Sequence, residues 1–240
     1  MSEIEHSNRS HAILSPSSSH RWMECPPSAR LNAQYEDVTS TYAQQGTDAH
    51  ELCQHKVELI FGLPTEDPRP KLEYYDEPME RYTDQYQLYV SVTAERMHAT
   101  DVLVEQQVDF SEWVPEGFGH CDCMMFNDTE LKVIDFKYGS GVRVDAYWNP
   151  QMMCYALGAI KALNLDGIET VSMEIFQPRM HSISRFEMKK TELIDWANDI
   201  LKPAAETAYK GEGKFNAGEH CRFCKAKNDC EYYKEWKRDN

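Results

Sequence analysis

Asp135 and Lys137 stand two apart in the run Val133-Ile134-Asp135-Phe136-Lys137. Side chains alternate between faces of a strand, so these two project from the same one. Upstream, Gly119-His120-Cys121-Asp122 sets another carboxylate in a strand-like stretch, and a hairpin between the two stretches brings Asp122 beside the pair. Two carboxylates and a lysine on one buried sheet face are costly unless an ion compensates them. A hard divalent cation with oxygen ligands does so, and the lysine adds a charge that orients a water or holds a phosphate oxygen. Taken alone, Asp-x-Lys is a very weak signal and reads as a solvated strand face. The company it keeps argues for chemistry: Asp122 upstream, His50 on a preceding helix, and Gln151 and Tyr155, which are four apart and share one face of a following helix.

Eight cysteines fall into two groups. Cys53, Cys121, Cys123 and Cys154 lie in apolar, periodic segments and read as small core residues. Cys25, Cys221, Cys224 and Cys230 lie in polar, turn-rich surroundings, where clustered cysteines point to metal before disulfides. Cys221-x₂-Cys224-x₅-Cys230 supplies three thiolates in ten residues, and Cys25 is the candidate fourth. Such a set holds a [4Fe–4S] cluster or zinc, and the spacing leaves both open. Either would clamp the two ends of the chain together. The bland alternative is a group of unpaired surface thiols.

The elements that must position these residues follow from periodicity and punctuation. Residues 1–20 are polar and serine-rich and are expected to form a loose arm, with one domain over 21–240. A helix is expected from Thr47 to Gly62, a loop with four prolines over 63–78, and a long helix over 78–99. Strands follow over 102–110, 117–126 and 131–138, the last two joined by the turn Asn127-Asp128-Thr129-Glu130. Asn149-Pro150 opens a helix with a cap and a first-turn proline. Strands over 170–177 and 182–188 and a helix over 191–209, bent or ended by Pro203, complete an α/β domain.

Composition limits the function classes. The chain is 41% hydrophobic and 27% charged, which is that of a folded globular protein. The longest run without a polar side chain is nine residues, at 152–160, too short to span a membrane. The first residues carry neither a basic region nor an apolar block, so a cytoplasmic protein is expected. Net charge is 25 − 40 = −15, which alone argues against a protein coated in nucleic acid. The charge is uneven: residues 63–84 hold seven acids and three bases, whereas residues 210–238 hold eight bases and five acids, so a local basic surface is compatible with the acidic body.

The ordered set His50, Gly119-x-x-Asp122, Asp135-x-Lys137 and Gln151-x-x-x-Tyr155 resembles the PD-(D/E)XK nuclease superfamily in its RecB-like branch. The Cys25…Cys221-x₂-Cys224-x₅-Cys230 frame is similar to that branch's iron–sulfur members. The stretch from Leu14 to Leu31 resembles the opening of a phage and prophage family within it. The resemblance implies a restriction-endonuclease-like core, a mixed central sheet flanked by helices, with N- and C-terminal segments joined by a Cys₄ [4Fe–4S] cluster. It implies Mg²⁺- or Mn²⁺-dependent hydrolysis of DNA phosphodiesters, at single- or double-stranded ends, by in-line attack of water.

Carried over residue by residue, His50, Asp122, Asp135 and the Phe136 carbonyl would ligate the metal, Lys137 would position or activate water, and Gln151 and Tyr155 would support Lys137 and contact the DNA backbone. Cys121-Asp122 departs from the Pro-Asp of the superfamily name. The acidic charge suggests a partner (a phage recombination or replication protein), an oligomer, or a narrow basic channel. A silent DNA-binding scaffold on the same fold and a zinc-stabilised binding module are the alternatives.

Several residues carry two readings. Glu105 in the first strand is a supporting or metal carboxylate, or a surface residue. Glu51 points about 100° around the helix from His50 and reads as a salt-bridging residue. Arg179 meets phosphate or lies on the surface. His20-Arg21-Trp22 stacks on DNA, or Trp22 forms a lid over the cluster. His6, His11, His55, His98, His181 and His220 read as surface residues.

Overall fold

A computed structural model describes residues 12–36 and 40–240. Five strands form one mixed sheet in the order β1-β2-β3-β4-β5: Asp101–Asp109, Phe118–Phe126, Glu130–Phe136, Thr170–Gln177 and Ser182–Lys189. β2 and β3 pair antiparallel, β3 and β4 parallel, and β4 and β5 antiparallel. β3 is the middle strand, and it and β4 are buried along nearly their whole length, as strands covered on both faces are.

The chain divides into two compact units where the sequence suggests one domain: Asp37–Val108 with His120–Leu193, and Met1–Glu36 with Asp109–Gly119 and Ile194–Asn240. The first unit carries most of the sheet. Its helices are α3 (Thr41–Ile60), α4 (Glu77–Arg96) and α5 (Pro150–Ala162). Leu52, Val57, Tyr86 and Val90 of α3 and α4 share one core with Cys123, Met125, Ile134, Phe136 and Phe176 of the sheet. Asp135, between Ile134 and Phe136, points to the other face, where α5 lies against β3 and β4.

Helix α3 starts six residues before the expected Thr47, because the Ser40 hydroxyl caps it by accepting the Ala43 N–H at 3.2 Å. Asp76 caps α4 in the same way, and Asn149 caps α5 by accepting the Gln151 and Met152 N–H groups. His55, expected on the surface, is instead buried and bonded to Thr65 at 3.0 Å, because the loop that follows α3 returns to it. His6 and His11 lie outside the described residues.

The second unit contains α1 (Ser19–Glu24), α2 (Ser28–Asn32), α7 (Lys202–Lys210) and α8 (Glu231–Asp239). From residue 12 onward the expected loose arm is packed: Leu14 and Trp22 are fully buried, and the Trp22 indole N–H donates to the Ser15 carbonyl at 3.1 Å. Burial of two large apolar side chains supplies the ordering force that the polar composition of the segment does not suggest. Arg30 donates to the Tyr209 carbonyl at 2.6 Å and sits over its ring. The single helix expected over 191–209 is divided into α6 (Lys190–Trp196), a π-helical turn (Ala197–Leu201) and α7. Pro203 has no N–H to donate, and its ring excludes the carbonyl one turn back, which the widened turn accommodates.

One buried charge on the sheet serves packing. Glu174 of β4 is 4% exposed, accepts from Tyr89 and Lys132, and forms an ion pair with Arg185 at 3.5 Å. Glu174→Ala leaves Lys132 buried with its pairing reduced and is expected to cost about 3–5 kcal/mol. Lys132→Met with Glu174→Leu should recover most of that loss. Chemical denaturation of the three proteins checks both.

Candidate functional site

The hairpin register builds the site. Cys123 pairs with Ile134, so one step further along the ladder Asp122 and Asp135 stand together on the opposite face. Asp122 Oδ2 accepts the Phe136 N–H at 2.7 Å. Lys137 Nζ lies 3.2 Å from Oδ1 and 3.0 Å from Oδ2 of Asp135. That Oδ2 is buried and takes no aligned hydrogen bond. His50, near the middle of α3, brings Nδ1 to 3.5 Å from Asp122 Oδ1, and its ring packs edge-on to Phe136 with centroids 5.4 Å apart.

Glu105 joins from β1. Val104 and Val108 are buried while Gln106 and Gln107 are exposed, so the alternation slips by one between them. Glu105 sits at the slip with φ 49°. A non-glycine residue held in the left-handed region stores about 1–3 kcal/mol of strain, and local kinks of this kind re-aim side chains beside functional sites. One ligand atom each from His50, Glu105 and Asp122 lie within 4.8 Å of one another. From the first turn of α5, the Gln151 amide donates to Asp135 Oδ1 at 2.9 Å and to the Tyr155 hydroxyl at 3.3 Å.

The charges are strongly coupled. Burial pushes the His50 ring down, but Asp122 beside it outweighs that and lifts it to about 9. Burial pushes Asp122 up, yet His50 holds it below the usual carboxylate range. Burial dominates at Asp135, raised to about 6 against the pull of Lys137, and at Glu105, raised to about 7 with help from Asp122. Lys137 stands above its ordinary value, because Asp135 and Asp122 outweigh its burial. His50 thus serves Asp122 as a protonated counter-ion, and a cation that ligates its ring would displace that proton.

The structure thus brings together His50, Asp122, Asp135, Lys137, Gln151 and Tyr155, and of the two readings of Glu105 it favours the one beside the carboxylates over the surface one. Two details differ from the sequence reading. Gln151 bonds to Asp135 rather than to Lys137, and Gln151 and Tyr155 are both buried, so they position Asp135 instead of offering an open face to a DNA backbone. Arg179 donates to the Tyr138 carbonyl at 3.5 Å and lies over that ring. Glu51 is exposed.

In the other unit, Cys25, Cys221, Cys224 and Cys230 line one cavity together with Arg21 and Tyr233. None of the eight cysteines, all of them among the described residues, is in a disulfide. The Asn32 amide donates to Cys224 Sγ at 3.1 Å, and its carbonyl oxygen accepts the Lys225 N–H at 2.8 Å. Burial pulls Arg21 down, while the Cys224, Cys25 and Cys221 sulfurs push it up. Arg21, not Trp22, is therefore the neighbour of the thiols; Trp22 is buried away from solvent and forms no lid. Asn32 escaped the sequence reading, since a lone asparagine nearly two hundred residues from Cys224 carries no local signal.

Fold and site define a mixed α/β protein with helices flanking a five-stranded sheet and a buried acidic site at the open end of its central hairpin. The fold is similar to the crystal structure of a candidate exonuclease from Eubacterium rectale, with a TM-score of 0.50, 11% identity, and coverage of 94% of this chain and 91% of that one. An alkaline exonuclease from Laribacter hongkongensis matches more loosely, with a TM-score of 0.35, 11% identity, and coverage of 80% and 91%. The family model described as "Protein of unknown function (DUF2800)" matches residues 11–238, and the chain belongs to that family. No helix among the described residues is long and apolar enough to cross a membrane.

His50→Ala and Glu105→Gln are each expected to weaken Mn²⁺ binding by at least about tenfold. Calorimetric titration of both variants checks this, and wild-type affinity in Glu105→Gln removes Glu105 from the ligand set.

Proposed function

We propose that this protein is a divalent-metal-dependent deoxyribonuclease of the PD-(D/E)XK superfamily, RecB-like branch, acting as an exonuclease of phage or prophage origin in the cytoplasm. The observation that carries the reading is the convergence of His50, Glu105 and Asp122 within 4.8 Å of one another, with the Asp135–Lys137 pair one strand position away. The likeness in fold to a candidate exonuclease supports it.

The donor set fits a hard cation, with oxygen ligands, one imidazole and a buried carboxylate oxygen without an aligned donor. His50, Asp122, Asp135 and the Phe136 carbonyl would hold Mg²⁺ or Mn²⁺, with Glu105 as a further ligand. Bound there, the cation supplies Lewis-acid charge to a phosphate oxygen and lowers the pKa of a water. Lys137, cationic beside Asp135, orients the attacking water or takes up charge on the phosphate. Gln151 fixes the Asp135 carboxylate, and Tyr155, which burial keeps neutral, backs Gln151. The substrate is DNA with an accessible end.

The four cysteines fit a thiolate site for [4Fe–4S], with zinc as the alternative. Four thiols share one cavity, and Asn32 donates to one of the sulfurs, a contact that tunes such sites. Its role is to fasten residues near Cys25 to the C-terminal segment, and metal binding energy there is folding energy.

Asp135→Ala is expected to abolish Mn²⁺-dependent digestion of end-labelled DNA without loss of fold. Losing several kcal/mol of transition-state stabilisation should cut the rate by more than about a hundredfold. More than about a tenth of wild-type activity in this variant sinks the assignment. Cys224→Ser should lower metal content and melting temperature and make both ends protease-sensitive, with activity falling only in proportion to folded protein. Absorbance near 400 nm in the wild type separates iron from zinc. A variant that melts like wild type, holds no metal and cuts nothing would give the cluster a direct part in DNA engagement.

A further inference from the structure

The segment between β3 and α5 exposes two large aromatic side chains with no packing role that accounts for them. Tyr147 is 67% exposed and Trp148 is 45% exposed. Both rest against one ring of the edge strand β5: Phe186 lies 5.1 Å from Tyr147, edge-on, and 5.6 Å from Trp148, tilted.

The segment is held firmly. Ser184 of β5 donates its hydroxyl to Asp145 at 2.6 Å and accepts the Ala146 N–H at 2.9 Å. Asp145 also accepts the Tyr147 N–H at 2.9 Å, and the Asn149 amide closes back on the Asp145 carbonyl at 2.8 Å. Trp148 itself is in the left-handed region, with φ 49°. A bulky residue is kept there only where its surroundings over-determine it. The arrangement spends strain and four hydrogen bonds to hold two aromatic rings towards solvent. A surface with no binding role would not need that rigidity.

The position is equally informative. Trp148 precedes Asn149, which caps α5, and Gln151, which bonds to Asp135. Three residues of chain reach at most about 11 Å, so the backbone that carries the rings lies close to the residue that bonds to Asp135. Arg143 is exposed in the same segment. Rigid aromatic rings next to a cationic side chain are the surface on which unpaired nucleobases stack while their phosphates are neutralised.

We infer that Tyr147, Trp148 and Phe186 form a stacking platform for an unpaired base of the strand whose phosphate enters the site, so that the substrate is recognised as single-stranded or end-frayed DNA. The inference rests on the nuclease reading for its occupant, but its test does not depend on cleavage. Stacking contributes about 1–3 kcal/mol per base and is indifferent to base identity. The preference for a base-bearing oligonucleotide over an otherwise identical abasic one should therefore be roughly 5- to 150-fold per stacked base.

The test is binding of fluorescein-labelled single-stranded oligonucleotides, base-bearing and abasic, measured with Ca²⁺ in place of Mn²⁺. Wild type should prefer the base-bearing strand. Tyr147→Ala with Trp148→Ala should bring the two strands to within about threefold of each other, and Trp148→Phe in the otherwise native chain should keep most of the preference. Both residues are exposed, so unchanged thermal melts are expected and checked. Equal binding of the two strands by wild type overturns the platform, as does an undiminished preference in the double variant. Loss of a dimer in the double variant, seen by light scattering without any change in strand preference, overturns it in favour of a contact between copies of this chain. A wild-type protein that shows the base preference but never cuts DNA leaves the platform standing and removes the nuclease reading.

Discussion

The unit that carries the sheet depends on gathering Asp122, Asp135 and Glu105 where water does not reach them freely. Like charges in a poorly solvated pocket raise one another's pKa and resist ionisation. Lys137 answers Asp135 and the protonated His50 answers Asp122, while Glu105 and Asp135 are lifted toward neutrality. The carboxylates are thus answered from within the pocket, by one lysine and one histidine. Much of the surrounding architecture follows from keeping these groups in reach without letting them collapse into a fully satisfied salt bridge. The buried Asp135 oxygen with no aligned donor records that incompleteness.

Each site residue is set by a separate backbone device. Hairpin register places Asp122 beside Asp135, strand alternation places Lys137 with Asp135, and a strained slip in β1 turns Glu105 inward. Asn149 starts α5 at the turn that delivers Gln151 to Asp135. The same cap ends the held segment that displays Tyr147 and Trp148, so the exposed rings and the residue that bonds to Asp135 share one stretch of backbone. Packing of α3 against β3 through Leu52, Val57, Ile134 and Phe136 holds His50 at the open end of the hairpin. Burial there is worth on the order of 1.5–3 kcal/mol per large apolar side chain.

The second unit draws on three separated stretches of chain, and its order comes from side chains rather than from extended secondary structure. Trp22 and Leu14 are buried, Arg30 spans to the end of α7, and Asn32 ties the first cysteine-bearing region to Cys224 and Lys225. Neighbours distant in sequence make closing the loop between them entropically costly. A thiolate-bound metal is the kind of link that offsets such a cost.

Local chemistry was legible in the residues themselves. The five strands, the Asn149 cap and the shared face of Asp135 and Lys137 follow from period-two alternation and turn residues, which act over a few neighbours and need no knowledge of the rest of the fold. The segregation of Cys53, Cys121, Cys123 and Cys154 from the other four follows in the same way from their immediate surroundings, and all four are buried. What only the tertiary structure decided depends on contacts made across the chain. Glu105 joins His50 and Asp122 because a mid-strand residue adopts a left-handed conformation that alternation alone forbids. Gln151 serves Asp135 rather than Lys137 because the distance between α5 and β3 is set by packing. Residues 12–20 are ordered because Leu14 and Trp22 find a core that their serine-rich neighbours do not announce, and Asn32 meets Cys224 because two ends of the chain are folded onto each other. Periodicity carries information along the chain, whereas these outcomes are fixed by which surfaces exclude water together.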